Sequence, residues 1–130
     1  MGSLDTNALI SLLLPDRPSE QVAVTKLLGH SKLDVADVVF VEIEFTLRKY
    51  YNYTRAQICA NIRGLSGLEN INCNRQLLGR ALPLYETGPS MSFVDCCLVV
   101  YAELNAATPL YTFDKKLVNQ SGGLAKLIAA

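Results

Sequence analysis

A chain of 130 residues, half of them hydrophobic and 18% charged, has the size of one domain and enough apolar content to bury a core without disulfides or a structural metal. The 12 basic and 12 acidic residues cancel, which excludes a global positive field for indiscriminate nucleic-acid binding, so any such contact must be local. The four cysteines form no C-x-x-C pair and His30 is the single histidine, which excludes an ordinary zinc site. Cys96 and Cys97, adjacent in an apolar run, read as buried reduced thiols and hence a cytoplasmic protein. No apolar stretch reaches the roughly 18 residues that span a bilayer, and no basic-then-apolar leader is present at the N-terminus, so neither membrane nor export is expected.

In chain order, Leu4 leads into Asp5-Thr6-Asn7 and the apolar run Ala8 to Leu14, stopped by Pro15: a very short strand, a turn and a short helix. Met1-Gly2-Ser3 fits either a native start or an expression remnant. Pro18-Ser19-Glu20 opens a second helix, with Val22, Leu27 and Leu28 as its expected inner face. Leu33 to Ala36 alternates like a strand, and Asp37 is placed to cap a long helix carrying Val38, Val41, Phe45 and Leu47 to about Tyr51. Thr54-x-x-Gln57 has the form of a capping box for a helix ending by Gly64.

Glu69 to Cys73 alternates weakly, Asn74 is a candidate cap, and Leu77, Leu78, Ala81 and Leu82 define a helix to Pro83 or slightly beyond. A loop over Thr87-Gly88-Pro89-Ser90 precedes Ser92, which caps the most apolar helix, Phe93 to about Ala107. Pro109 to Thr112 reads as a short strand ending at Asp114, and Lys115 to Asn119 as a helical turn before Gly122-Gly123. Repeated strand and helix units predict an α/β fold with a mostly parallel sheet between helices.

In such sheets ligands bind beyond the carboxyl ends of strands. Asp5 closes the first strand and Asp114 the last; Asp95 lies in the first turn of the apolar helix and Glu42 inside the long one. Four carboxylates gathered on one edge repel unless a hard cation joins them. Magnesium or manganese takes oxygen ligands, activates water and stabilises charge on a phosphate, so phosphodiester hydrolysis is the chemistry expected. Taken singly, Asp5 and Asp95 are equally well explained as helix-start residues and Asp114 as a turn residue.

Leu4-Asp5-Thr6-Asn7, Val41-Glu42 followed by Leu47-Arg48, Phe93-Val94-Asp95 and Tyr111-Thr112-Phe113-Asp114, in that order, resemble a PIN domain, especially the VapC-type toxin ribonucleases. The resemblance covers nearly the whole chain and implies a single PIN-like domain over residues 1–130, a three-layer α/β/α arrangement around a mostly parallel sheet. It implies a ribonuclease whose catalytic, metal-binding acids are Asp5, Glu42, Asp95 and Asp114, working with Mg2+ or Mn2+. Asn7 and Thr112 match small polar positions beside the acids and rank second. Glu42 is preferred to Glu44 because the family's Leu-Arg step fits the count from Glu42. The two glutamates lie about 200 degrees apart on a helix and cannot share a site, while Glu44 is spaced to pair with Arg48 on an exposed face.

Likeness to VapC-type toxins further implies a homodimer and an antitoxin protein that blocks the acidic site. Arg48, Lys49, Tyr51 and Arg55, with Tyr50 and Tyr53, form a basic and aromatic cluster suited to RNA or to a protein partner. His30 is assigned no role. A haloacid-dehalogenase-type phosphatase needs an aspartate where Asn7 stands, and a receiver domain needs an acid pair and lysine whose order this chain lacks. The remaining competitor is a PIN-fold interaction or RNA-binding protein that no longer cuts.

Overall fold

A computed structural model describes residues 1–88 and 90–129; the loop reading at Pro89 lies outside them. Among the described residues the elements run β1 (Gly2–Ser3), α1 (Thr6–Ile10), α2 (Pro18–His30), β2 (Leu33–Asp34), α3 (Asp37–Tyr50), α4 (Arg55–Ser66), β3 (Ile71–Asn72), α5 (Arg75–Thr87), α6 (Phe93–Leu104), β4 (Leu110–Thr112), α7 (Lys115–Gln120) and β5 (Ala125–Leu127). The class is α/β, and every strand pairing is parallel. The chain separates into two compact units, Met1–Asn74 and Arg75–Ala130.

In the first unit the strand order is β1-β2-β3, with Gly2 opposite Leu33 and Leu33 opposite Ile71. The strands are two residues long by pairing, yet backbone bonds carry each ladder further: Leu4 N–H donates to the Asp34 carbonyl and Val35 N–H to the Asn72 carbonyl, both at 2.9 Å. Leu4, Leu33, Val35 and Ile71 are buried, as are Ile58, Cys59, Ile62 and Leu65 of α4. Thr54 and Gln57 form the expected capping box, each side chain bonding the other's backbone N–H. It holds α4 through Ser66, two residues past the expected end.

The expected face of α3 is only partly right: Leu47 is buried and Val41 half-buried. Val39, Phe40, Ile43, Glu44 and Leu47 are buried, whereas Val38 is 60% and Phe45 42% exposed. Two stripes of α3 have helical spacing, and the one buried carries Phe40, Ile43 and Leu47, each worth about 1.5–3 kcal/mol on burial. Asp37 is the first residue of α3, and the cap position falls to Ala36, whose side chain makes no capping bond. In α2 the buried residue is Val24, with Gln21 and Leu28 half-buried beside it; Val22 and Leu27 face outward.

In the second unit α5 packs on α6 through Leu77, Leu78, Ala81, Leu82 and Tyr85 on one side and Phe93, Cys96, Val99 and Val100 on the other. The rings of Tyr85 and Phe93 meet edge to face at 5.4 Å. Arg80 and Glu103 join the two helices at 2.6 Å. Pro83 sits inside α5, which continues to Thr87. Having no N–H, Pro83 leaves the Gly79 carbonyl without its helical donor; Gly79 is exposed.

Ser92 caps α6 as expected, its hydroxyl accepting from Asp95 N–H at 3.1 Å, although the helix ends at Leu104. Of the parallel pair β4-β5 only β4 is an expected strand; Gly122 and Gly123, at φ of 65° and 89°, precede Ala125–Leu127, which pairs with Leu110–Thr112. All four cysteines carry thiols. No described helix is long and apolar enough to cross a membrane.

Candidate metal centre

In the first unit Asp5 leaves the β1 end and caps α1, its Oδ1 accepting from Ala8 N–H at 2.9 Å. Only one carboxylate oxygen serves the cap, and among the described residues Oδ2 has no hydrogen-bond donor. The next residue, Thr6, donates its hydroxyl to Oε1 of Glu42 at 2.9 Å, across 36 positions of sequence. That bond brings Glu42 to the start of α1. Thr6 was not expected to matter; its one sequence signal is its place directly after the first acid. Asn7, an exposed residue, contributes its carbonyl to Ser11 N–H.

Glu44 stands apart from Glu42, as the helix geometry requires, and pairs with Arg48 at 2.7 Å. The expected exposed face is corrected: the Glu44 side chain is 5% exposed, and only the Arg48 end of the pair reaches solvent. α3 therefore turns one glutamate inward to an arginine and leaves Glu42 in solvent.

The carboxyl ends of β1, β2 and β3 open onto a cleft of about 470 Å³ lined by Ser3, Asp34, Asp37, Asn72 and Asn74. Asn72 donates to Asp34 at 2.5 Å and Asn74 to Asp37 at 3.5 Å, so both acids are occupied by carboxamides. A larger apolar cavity, about 570 Å³, lies between α2 and α4 against Leu12, Leu28, Leu65 and Leu68; none of the four candidate acids lines it.

In the second unit Asp95 lies in the first turn of α6, half-buried, and its carboxylate has no hydrogen-bond partner among the described residues. Asp114 caps α7: Oδ1 accepts from Lys116 N–H at 2.9 Å and Leu117 N–H at 3.2 Å. Thr112, the second-ranked hydroxyl, accepts from Asp114 N–H at 3.0 Å and so sets the turn that aims the acid. Like Asp5, Asp114 keeps Oδ2 clear of the cap.

Among the described residues no cluster of three or more His, Cys, Asp or Glu side chains is gathered closely enough to hold a metal ion. The individual donors nevertheless suit a hard divalent cation. They are carboxylate oxygens, with a free oxygen on each capping aspartate and an unpartnered carboxylate at Asp95, and neither thiol nor imidazole competes.

The chain is an α/β protein with acids at strand ends and helix starts. The chain belongs to the PIN domain family, whose pattern matches residues 3–122. PIN domains are generally metal-dependent nucleases. No curated protein and no solved structure matches the chain.

Proposed function

We propose that this protein is a divalent-metal-dependent endoribonuclease, one PIN domain over residues 1–130, in which Asp5, Glu42, Asp95 and Asp114 hold Mg2+ or Mn2+. The observation that supports the reading is the Thr6 to Glu42 hydrogen bond, which engages Glu42 and not Glu44 at the residue that follows Asp5. The family pattern running through both units supports their acting as one domain. When bound, the cation supplies a Lewis acid for the phosphate and a water of lowered pKa. The protein's part is to hold carboxylate oxygens at fixed helix starts, with the Asp5 and Asp114 caps locking the orientation of each carboxyl group.

Resemblance to VapC-type toxins extends the proposal to a cytoplasmic toxin, a homodimer restrained by an antitoxin protein. The four thiols fit that compartment. Purified protein incubated with a panel of labelled RNAs and Mn2+ or Mg2+, beside EDTA and an Asp5→Asn, Asp95→Asn double variant, tests the activity. Cleavage by the wild type alone, and only with metal, is expected. Calorimetry that shows no cation binding, together with no cleavage, would leave a PIN-fold interaction protein. Growth arrest on expression, relieved by the double substitution, tests the toxin role.

A further inference from the structure

α3 carries more than one candidate acid on its outer side. Glu42, Phe45 and Lys49 fall within about 60 degrees of one another around the helix, spaced i, i+3 and i+7, so they form a single exposed stripe about 10 Å long. Phe45 is 42% and the adjoining Tyr50 66% exposed, large apolar surfaces that folding leaves in water. Cations stand over both rings: Lys49 Nζ is 5.2 Å from the Phe45 centroid and 5.6 Å from that of Tyr50, and the Arg48 guanidinium is 5.6 Å from Phe45. Glu44 is buried beneath Arg48 and pairs with it, so beyond Glu42 the face presents the Lys49 ammonium and aromatic rings.

We infer that Phe45, Lys49 and Tyr50 form a track that seats the single-stranded RNA leading away from the cleavage site, an inference that rests on the nuclease reading of Glu42. Stacked bases rise about 3.4 Å each, so a strand with its reacting phosphate near Glu42 covers the stripe with about three nucleotides. The cations do not block the rings. An exposed cation–π contact favours the closed arrangement only about 2- to 5-fold. A base stacking on an aromatic side chain contributes about 5- to 150-fold in affinity. Lys49 exchanges a ring for a phosphate, and the base takes the vacated face of Phe45. A duplex has no unstacked base to offer and gains only the phosphate contact. A second copy of the chain is disfavoured, since two such faces would set like charges together.

The test is fluorescence anisotropy of a labelled oligouridine in EDTA, where it is not cut, with the same strand annealed to oligoadenosine as the duplex control. Phe45→Ala should weaken single-strand binding about tenfold while Phe45→Tyr restores it. Lys49→Ala should lower the slope of log affinity against log salt by about 0.7, the share of one phosphate on a single strand. Equal affinity for single strand and duplex, or unchanged affinity in Phe45→Ala, overturns the track. So does a change confined to sedimentation, which would make this face a contact between copies. Hydrolysis of bis(p-nitrophenyl) phosphate by the wild type with Mn2+ is measured alongside. Hydrolysis with Phe45-independent binding defeats the track alone; Phe45-dependent binding without hydrolysis defeats the nuclease reading alone.

Discussion

Each unit has one candidate acid that caps its own helix, Asp5 and Asp114, but the units differ in how the other is held. In Met1–Asn74 Glu42 is fixed by a hydroxyl 36 residues away, and its helix is anchored by an inward ion pair. In Arg75–Ala130 the Asp95 and Asp114 backbones are set by Ser92 and Thr112, within three residues, and Asp114 by its own cap. Local placement survives small shifts in packing because the helix start carries its acid with it. Long-range placement makes Glu42 a reporter of how α1 meets α3.

That contrast can be broken most severely at the charges themselves. Asp5→Asn should cost about 100-fold or more in metal-dependent RNA cleavage, the scale of transition-state charge a cation stabilises. Asparagine caps as well as aspartate, so the thermal midpoint should stay put; Asp5→Ala should lose activity and also about 1 kcal/mol of stability, read by urea unfolding. Removal of cation with EDTA should match the Asp5→Asn loss, with activity returning on Mn2+ addition.

The next largest effect tests the anchor of α3. Arg48→Ala deprives a buried carboxylate of a charge-assisted bond, and denaturant unfolding should show a loss of about 1–3 kcal/mol, larger than for Glu44→Gln. The reason is burial: the arginine is half exposed and can return to water, whereas Glu44 cannot. A smaller loss from Arg48→Ala than from Glu44→Gln would deny that the pair is anchored from the inside.

Thr6→Val sharpens the comparison. It removes one hydroxyl bond and should slow cleavage about 3- to 10-fold without altering the unfolding midpoint. The corresponding change in the second unit, Asp114→Asn against Asp114→Ala, should instead separate by about 1 kcal/mol in stability while both lose activity. An activity loss as large for Thr6→Val as for Asp5→Asn would make the threonine a ligand-side participant and not a support.

Locally coded structure was readable from the residues. Thr54 with Gln57 and Ser92 before α6 express bonds made within three residues, and these stand where expected, as do Pro18 at the start of α2 and the strand at Leu33. The burial of α3 was not, because residues 38–47 are apolar on more than one side and only tertiary packing chooses between Val38 with Phe45 and Phe40 with Ile43. The same choice buried Glu44, whose spacing to Arg48 was legible while its depth was not. β5 escaped notice because two left-handed glycines precede a strand of three residues, too short to show a period. The candidate acids are read from order and neighbours; the Thr6 bond to Glu42 is not, since it joins segments far apart in sequence.

Pro83 gives α5 a behaviour of its own. With one rung missing between Gly79 and residue 83, the helix is two ladders joined by continuous backbone, each fraying toward the gap as well as toward its end. Thr87 steadies the second ladder by donating its hydroxyl to the Pro83 carbonyl, and Tyr85 pins it to α6. In deuterium labelling the amides after Pro83 should therefore exchange as a separate, faster group than those before Gly79, so that this helix unlocks from the middle outward while its buried face is still in place.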